Sequence, residues 1–381
     1  MSSDHQPEAG AAPGGAEAVC VGETMALLVP EPGTPEPGTS RLLGDPPPGY
    51  RLEIGGAESN VAVYLARAGH RVAWHSALGD DPFGRHVLAR LGAEGVHCAV
   101  RTDPQRRTGL YVKEPDGAGG TRVRYYRTDS AASALGAADA ARVRAAQPRL
   151  VHTTGITAVL SDSCRELVDG LLDGLMPGTL RSFDVNYRPA LHGPAEAELV
   201  LQAARRADVV FCGLDEAAAL WGATEPHEVR DLLDGPGGDR GGGTRGGPGL
   251  VVVKQGGRGA TAFRGGEYWY EPAPAVTVVE PTGAGDAFAA GVLHGLLTGA
   301  GVQECLAGGA RLAGAVLLVP GDIPPRSDTG DGGLAEGGDG VSSAGGGLSA
   351  GGGESPVGGA EQGLSPQWDR AARGAKARPS E

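Results

Sequence analysis

The 381-residue sequence has little of what marks several large classes of protein. Its only lysines are Lys113, Lys254 and Lys376, and acidic residues outnumber basic ones by 46 to 33, giving a formal charge of −13. No basic block or basic-aromatic stripe is present, which argues against a nucleic-acid partner. No run approaches the roughly 18 apolar residues of a membrane span, and the polar N-terminus lacks a signal-peptide core. We therefore expect a cytoplasmic protein with no membrane partner.

Disulfide and metal-binding patterns are missing as well. The five cysteines lie far apart with no CxxC pair, which favours reduced and mostly buried thiols. The nine histidines form no HxxxH or HExxH pair, so a transition-metal site ligated by the protein is not expected.

Composition divides the chain into three parts. Residues 1–16 are predicted to be a disordered leader, 17–325 a folded domain and 326–381 a disordered tail. The tail holds 16 glycines among serines and charged residues, and such a segment buries too little apolar surface to offset the entropy of ordering it. A glycine-rich stretch at 234–249 is predicted to be a flexible surface insertion.

The folded part alternates between short apolar strands and amphipathic helices. Helices are expected within 55–69, after an Asp81 N-cap, and at 163–175 and 195–206, with strands at 18–22, 71–79, 149–153, 180–185, 208–212 and 250–254. This order predicts an α/β fold, a mostly parallel sheet with helices on both faces. Residues 24–54 and 108–128 break the alternation, and we expect them to form a small antiparallel flap over a ligand.

The stretch EPTGAGDAFAAG at 280–291 offers a site for phosphate. It lacks the lysine of a Walker A loop, and it is a poor match to a dinucleotide fingerprint. We instead expect a strand at 275–279, a turn at Gly283–Gly285 and a helix from there onward. Unpaired amides of Gly283, Ala284 and Gly285 at the helix start would then form an anion hole, helped by the helix dipole.

Asp286 follows directly after these amides, and two interpretations are open. Aspartate is common as a cap at a helix start. Alternatively, Asp286 is a general base that takes a proton from a substrate hydroxyl while the anion hole stabilises a transferring phosphoryl group.

Three stretches together resemble a known family. GGAESNVAVYLARAG, GDDPFG and PTGAGDAFAAG, in this order, are similar to the ribokinase-like (PfkB) carbohydrate kinases. The resemblance covers about residues 18–325. It implies a three-layer αβα sandwich with a small β-strand lid, phosphoryl transfer from ATP with Mg²⁺, and Asp286 as the base. It also implies ATP contacts at Gly256, Gly257 and Gly259 and around Gly314 and Gly321.

Four further stretches, VGETMALLVP, TGLYVKE, YYRTDSAAS and SFDVNYRPAL, resemble the branch that phosphorylates the sugar acid 2-dehydro-3-deoxy-D-gluconate. The resemblance implies a substrate site formed by Gly55, Gly56, Asn60, Tyr111, Tyr125, Arg127 and Arg188. A sugar carboxylate favours a guanidinium partner. Each arginine could instead pair with an aspartate, Arg127 with Asp129 and Arg188 with Asp184. A kinase for another sugar, such as ribose, fructose or a 5-dehydro-2-deoxy acid, and an inactive ligand-binding regulator remain alternatives.

The sequence departs from the family pattern in two places. An NxxE element near the metal keeps Glu216, but Gly213 stands at the asparagine position; Glu216 is therefore a candidate Mg²⁺-associated residue acting through water, or a solvated residue at a helix start. Glu280-Pro281 replaces an Asp-Thr pair, which bears on a monovalent-cation site. The family resemblance further implies a homo-oligomer that forms through the lid.

Overall fold

Alternate residues of the central strands pack on opposite faces of one sheet. In the strand Leu250–Lys254, Leu250 and Val252 join one hydrophobic cluster, whereas Val251 and Val253 join another. Because successive strand side chains point to opposite faces, a strand that is apolar throughout must be covered by helices on both sides. The predicted α/β architecture is confirmed at this level.

The computed structural model describes residues 15–31, 49–115, 121–174, 178–235, 247–319, 321 and 323–324. These residues all belong to one compact unit, Met1–Ala335, and a second unit, Glu336–Glu381, lies outside the described residues. Nearly all of the predicted leader, most of the insertion at 234–249 and the whole predicted tail fall outside them too, so those boundaries stay predictions.

Two sheets contain the strands of the described residues. The strands are β1 (Ala18–Val21), β2 (Met25–Pro30), β3 (Tyr50–Gly55), β4 (Val72–Gly79), β5 (His97–Asp103), β6 (Leu110–Pro115), β7 (Thr121–Tyr126), β8 (Leu150–Thr154), β9 (Leu180–Asp184), β10 (Val209–Gly213), β11 (Leu250–Lys254), β12 (Gly259–Arg264) and β13 (Glu267–Pro272).

The helices of the same residues flank the larger sheet. They are α1 (Ala57–Arg67), α2 (Pro82–Ala93), α3 (Ala137–Ala145), α4 (Gly155–Val159), α5 (Asp162–Asp173), α6 (Pro194–Arg206), α7 (Leu214–Trp221), α8 (Pro226–Asp234), α9 (Ala284–Thr298) and α10 (Val302–Val316).

The larger sheet has the strand order β13-β12-β11-β10-β9-β8-β1-β4-β5. Its pairs are parallel from β5 to β11, and antiparallel where β12 and β13 are added at one edge. Helices α1, α2, α9 and α10 contribute to the core on one face, and α5 to α8 to the core on the other. The carboxyl ends of β1, β8, β9, β10 and β11 therefore meet at one edge, where α/β folds bind ligands.

The predicted flap, called the lid below, is a separate sheet of four strands in the order β3-β2-β6-β7. The β2–β3 and β6–β7 pairs are antiparallel hairpins, but β2 and β6 pair in parallel. The expectation of a purely antiparallel flap was therefore wrong at its centre. Two hairpins distant in sequence can join in either orientation, and local turn chemistry does not decide which.

The strand predicted at 275–279 is also absent from the structure. These residues have no ladder partner; their amide contact is Val279 N to Leu317 O at 2.8 Å. The two valines at its end, Val278 and Val279, are 53% and 59% exposed. β-branched residues favour a strand only when a neighbouring strand offers an edge, and here the chain leaves the sheet after β13.

Candidate active site

A cleft of about 400 Å³ opens between the lid sheet and the carboxyl edge of the large sheet. It brings together residues that the sequence separates by more than 200 positions. Of the residues predicted for the site, it is lined by Gly55, Gly56, Asn60, Tyr111, Tyr125, Arg127, Arg188, Glu216, Gly283, Gly285 and Asp286.

Asp286 lies at the floor of this cleft in the first turn of α9, and it is 9% exposed. It does not cap the helix, because Gly283 is the N-cap residue and no side chain caps there. Its carboxylate instead accepts hydrogen bonds from two amides, Asn60 Nδ2 at 2.8 Å and Asn186 Nδ2 at 3.4 Å. These contacts orient the carboxylate toward the cleft rather than toward its own backbone.

The surroundings of Asp286 raise its pKa to about 7, and burial is the largest cause. The nearby carboxylate of Asp184 adds to the rise, whereas the Asn60 hydrogen bond and the positive charges of Arg188 and Lys254 oppose it. A base works best when its pKa lies near the working pH. The Asp286 carboxylate therefore changes its protonation state near neutrality, as the proposed general base would have to do.

The start of α9 has the form predicted for an anion hole. Gly283 has a φ of 82°, a left-handed conformation that favours glycine, and its carbonyl begins the helix by accepting from Ala287 N at 2.9 Å. Ala284 N makes a weak 3.4 Å contact to Pro281 O, and Gly285 N has no partner among the described residues. The first-turn amides are thus available to an anion.

A lysine that the loop itself lacks comes to it from β11. Lys254 Nζ donates to both oxygens of Asp184, at 3.0 Å and 2.8 Å, and a Cβ added to Gly285 would lie 3.5 Å from the same Nζ. Sequence reasoning missed this residue. One signal could have found it. Lys254 is one of only three lysines in the sequence, and it stands at the carboxyl end of a predicted strand, where α/β folds bind ligands.

Arg127 and Arg188 both line the cleft, but only Arg127 is paired with a carboxylate among the described residues. Arg127 is 8% exposed and forms an ion pair with Glu23, not with Asp129. Among the described residues Arg188 has no acidic partner; its Nη1 donates to the carbonyl of Tyr187 at 2.8 Å. Asp184, the expected structural partner of Arg188, is taken by Lys254. Arg188 therefore has the freer positive charge for a ligand carboxylate.

Several buried polar atoms around the cleft lack hydrogen-bond partners among the described residues. They include Oδ1 of Asn60, Oδ1 of Asn186 and Nε of Arg127. Asn186 also holds a left-handed φ of 45°, which asparagine tolerates better than most residues. Unsatisfied buried donors and acceptors are costly, and a polyhydroxylated ligand would satisfy them.

Two tyrosines from the lid form one wall. The rings of Tyr111 and Tyr125 lie 5.7 Å apart at 31°, and Tyr111 packs on Met25 and Leu27. Gly55 ends β3 and Gly56 precedes α1, where a Cβ would approach the carbonyl oxygen of Glu23 to 2.4 Å. Both glycines keep backbone, rather than side chain, at this side of the cleft.

Glu216 holds local structure together at the cleft. Its Oε2 accepts from Gly213 N at 2.6 Å, closing the cap of α7, and its Oε1 accepts from Tyr187 N at 3.0 Å. Burial raises its pKa. Gly213 is thus the helix cap where the family pattern has asparagine. Each oxygen of Glu216 keeps a second lone pair, so a role near a metal through water stays a prediction.

The residues predicted to contact the nucleotide fall into two groups. Gly283 and Gly285 line the cleft, but Gly256, Gly257, Gly259 and Gly314 do not. Gly256 and Gly257 lie in a 3₁₀ turn just after Lys254, and Gly259 begins β12. Gly314 packs α10 closely on Pro274, where a Cβ would come within 2.6 Å of the ring. Their contacts with ATP stay a prediction.

Glu280, which replaces the aspartate of the family pattern, connects three parts of the chain. It forms an ion pair with Lys113 on the lid strand β6, and its Oε2 accepts from Gly321 N at 2.8 Å. Burial alone would raise its pKa, but the Lys113 contact and the Gly321 amide lower it. Glu280 therefore connects the lid to the segment that leads into α9.

Neither a multidentate metal cluster nor a membrane span is found in the described part of the chain. No group of three or more His, Cys, Asp or Glu side chains there could hold a metal ion, and no helix is long and apolar enough to cross a bilayer. Mg²⁺ commonly uses only one or two carboxylates together with waters and substrate phosphates, so the first finding does not bear on Mg²⁺.

Comparison with known proteins agrees with this geometry. The family model described as pfkB family carbohydrate kinase matches residues 16–329. The chain belongs to this family. The predicted family resemblance is thus confirmed.

This pfkB-family chain is 33% identical over 277 residues to the 2-dehydro-3-deoxygluconokinase of Bacillus subtilis (strain 168), a match covering 71% of this chain and 82% of the relative. It is 34% identical over 320 residues to the 2-dehydro-3-deoxygalactonokinase of Haloferax volcanii, covering 81% and 93%. The crystal structure of a PfkB protein from Polaromonas sp. JS666 superposes with a TM-score of 0.65 at 34% identity, covering 80% of this chain and 97% of that one. The predicted fold class is confirmed.

Proposed function

We propose that this kinase transfers the γ-phosphoryl group of ATP to the terminal hydroxyl of 2-dehydro-3-deoxy-D-gluconate, giving the 6-phosphate. The observation that carries the substrate class is Arg188, a partly buried guanidinium in the cleft with no acidic partner among the described residues. A neutral sugar offers it no charge, whereas a sugar acid offers a carboxylate for bidentate pairing. The similarity to named 2-dehydro-3-deoxygluconokinases supports the same class.

The residues divide the work by their chemistry. Asp286 accepts the proton of the substrate hydroxyl, and the oxygen attacks the γ-phosphorus as the bond to the leaving ADP oxygen breaks. The amides of Gly283–Gly285 stabilise charge on the phosphoryl oxygens. Phosphoryl transfer needs little more from a protein than positioning and charge stabilisation.

ATP supplies the phosphoryl group, and Mg²⁺, when bound with it, neutralises phosphate charge. The cleft fits such an anion because it combines first-turn amides with the ammonium of Lys254. Glu216 is the carboxylate we propose to lie near the metal through water. A monovalent cation near Glu280 would have to share that carboxylate with Lys113.

The decisive experiment measures ADP release across a sugar panel: 2-dehydro-3-deoxygluconate, 2-dehydro-3-deoxygalactonate, ribose, fructose and gluconate. We expect the highest kcat/KM for the first. Arg188→Ala should raise KM for the sugar acid by about 10- to 100-fold, since a charge-assisted contact is worth about 1.5–3 kcal/mol. A preference of the wild type for ribose or fructose would overturn the proposal.

The 4-epimer, 2-dehydro-3-deoxygalactonate, is a second candidate substrate. The 34% identical relative from Haloferax volcanii is named for it. The two substrates differ in the configuration of one hydroxyl and share the carboxylate, so Arg188 serves both equally. The ratio of the two kcat/KM values in the same panel decides between them.

We also propose that the lid forms the contact of a homo-oligomer. Its surface presents Tyr50, Val123 and Tyr126, which are 38%, 37% and 54% exposed. Light scattering coupled to size exclusion should give the mass of a multimer for the wild type, and a smaller species for Tyr126→Glu.

A further inference from the structure

Lys254 has one side of its ammonium group occupied and one side turned to the cleft. The two hydrogen bonds to Asp184, at 3.0 Å and 2.8 Å, are those that its Nζ makes within the described residues. An ammonium group has three N–H donors. Asp184 is 1% exposed and fixed at the end of β9, so it anchors the lysine. The third N–H of Lys254 Nζ remains available for a ligand.

The position of Nζ places that donor over the start of α9. A Cβ on Gly285 would lie 3.5 Å from Nζ. Helical Cα–Cβ bonds tilt toward the N-terminus of their helix, which is also the direction in which the free first-turn amides point. The ammonium and these amides therefore face the same space, and Asp286 is the next residue along the helix.

We propose that Lys254 is a catalytic residue that donates its third N–H to a non-bridging oxygen of the transferring γ-phosphoryl group. The inference rests on the proposed kinase function. In that step the bond from the sugar oxygen to the γ-phosphorus forms, the bond to the β–γ bridging oxygen breaks with its electron pair going to ADP, and the proton goes to Asp286. Lys254 stabilises the negative charge shared by the phosphoryl oxygens and the leaving group.

Electrostatics support a permanent positive charge at this point. Burial alone would lower the pKa of Lys254, but the carboxylates of Asp184 and Glu216 outweigh it and raise the pKa. The lysine is therefore protonated throughout the neutral range and acts as a donor, not as a base. Lysine commonly binds phosphate in this way, as a point charge.

The competing interpretation is that Lys254 only neutralises the buried Asp184. Lys254→Met by itself does not separate the two, because it leaves a buried carboxylate unpaired and lowers stability. The double variant Asp184→Asn with Lys254→Met removes both charges and avoids that problem. Asp184→Asn alone is the matched control, because its amide oxygen can still accept from Lys254 Nζ and hold the ammonium near Gly285, with the Glu216 carboxylate remaining as a nearby opposite charge.

The test compares the affinities of ADP and of the non-hydrolysable ATP analogue AMP-PNP, both with Mg²⁺ and without sugar, by calorimetry. We expect the preference for AMP-PNP over ADP to fall by about tenfold or more in the double variant, as for loss of a charge-assisted hydrogen bond. Its kcat should fall by about 10²–10³-fold, while its melting temperature stays close to that of Asp184→Asn.

Two results would overturn the assignment. One is a folded double variant with near-wild-type kcat and an unchanged preference for AMP-PNP. The other is the same loss of preference in Asp184→Asn alone, which would assign the effect to the carboxylate. Because the binding comparison uses no sugar, it remains valid even if the sugar panel shows a different substrate.

Discussion

Asn60 Nδ2 donates a 2.8 Å hydrogen bond to Asp286 Oδ2, across 226 residues of sequence. The bond connects α1 and α9, the two helices that start within the GGAESNVAVYLARAG and PTGAGDAFAAG motifs. It opposes the effects of burial and of Asp184 on the carboxylate, and the balance leaves the pKa of Asp286 at about 7. The pKa of Asp286 is therefore set by contacts from several elements rather than by its own loop.

Replacing Asp286 with asparagine should remove most turnover while leaving ligand binding nearly intact. The amide keeps the size of the side chain but cannot accept the hydroxyl proton, and positioned proton transfer contributes about 10²–10⁴-fold. Steady-state ADP release and calorimetric sugar binding measure the two effects. Asp162→Asn, at a side chain that is 92% exposed, is the control. A near-normal kcat in Asp286→Asn would sink the assignment of the base.

The rate should depend on pH through the ionisation of Asp286. Since the base must be deprotonated, kcat/KM is expected to rise with pH and level off above about 7. Asn60 lowers this pKa, so Asn60→Ala should move the rising limb to higher pH. Gln202→Ala, on the exposed side of α6, should not move it. An unchanged or downward-shifted limb in Asn60→Ala would contradict the role given to this hydrogen bond.

Arg127 should matter for stability as well as for the substrate. Its removal in Arg127→Met leaves Glu23, which is 3% exposed, as an unpaired buried carboxylate. Breaking such a pair typically costs about 3–5 kcal/mol, measurable by urea denaturation. The double variant Arg127→Met with Glu23→Gln should recover most of that loss. Equal destabilisation in the single and double variants would show that the ion pair is not the cause.

The Lys113–Glu280 pair should influence the response to monovalent cations. Lys113 already supplies positive charge to Glu280, so the wild-type rate is expected to change little when potassium chloride replaces choline chloride. Lys113→Met leaves Glu280 without that charge and should make turnover potassium-dependent. The same pair connects lid and anion hole, so the variant should also show a higher KM for sugar. Strong potassium activation of the wild type would contradict the interpretation that the Lys113 ammonium takes the place of a monovalent cation beside Glu280.

Stability should decline with acid because His152 is buried as the neutral form. Burial, aided by the charge of Lys254, lowers its pKa to about 3. Below the unfolded-state pKa of about 6.5 the unfolded chain binds a proton that the native state does not. This residue's contribution is therefore complete above pH 6.5 and falls by up to about 1.4 kcal/mol per pH unit below it.

Urea denaturation from pH 5 to 8 tests this contribution. His152→Gln should reduce the slope of the free energy of unfolding against pH by the contribution of one proton. His97→Gln, at an exposed position, should leave that slope unchanged. Parallel slopes for all three proteins would contradict the assignment to His152.

The sequence alone predicted most features that depend on local patterns. Apolar runs placed β1, β4 and β8–β11 within a residue or so, and Asp81 caps α2 by accepting from Gly84 N as expected. The pattern failed at 275–279, where strand-forming residues find no neighbouring strand, and at the centre of the lid, where β2 and β6 pair in parallel. Both depend on which edges are close in space.

The features of the candidate site also separate into those set by local sequence and those set by contacts distant in sequence. The predicted anion hole depends on a left-handed Gly283 and free amides at the start of α9, and these features arise within a few adjacent residues. The partners of the charged groups do not: Asp184 binds Lys254 across 70 residues, Lys113 meets Glu280 across 167, and Arg127 pairs with Glu23 instead of the nearby Asp129. Sequence determines which charges are available. Only the packing of strand ends and lid decides which of them meet, because charge pairing depends on distance in space and has no periodicity along the chain.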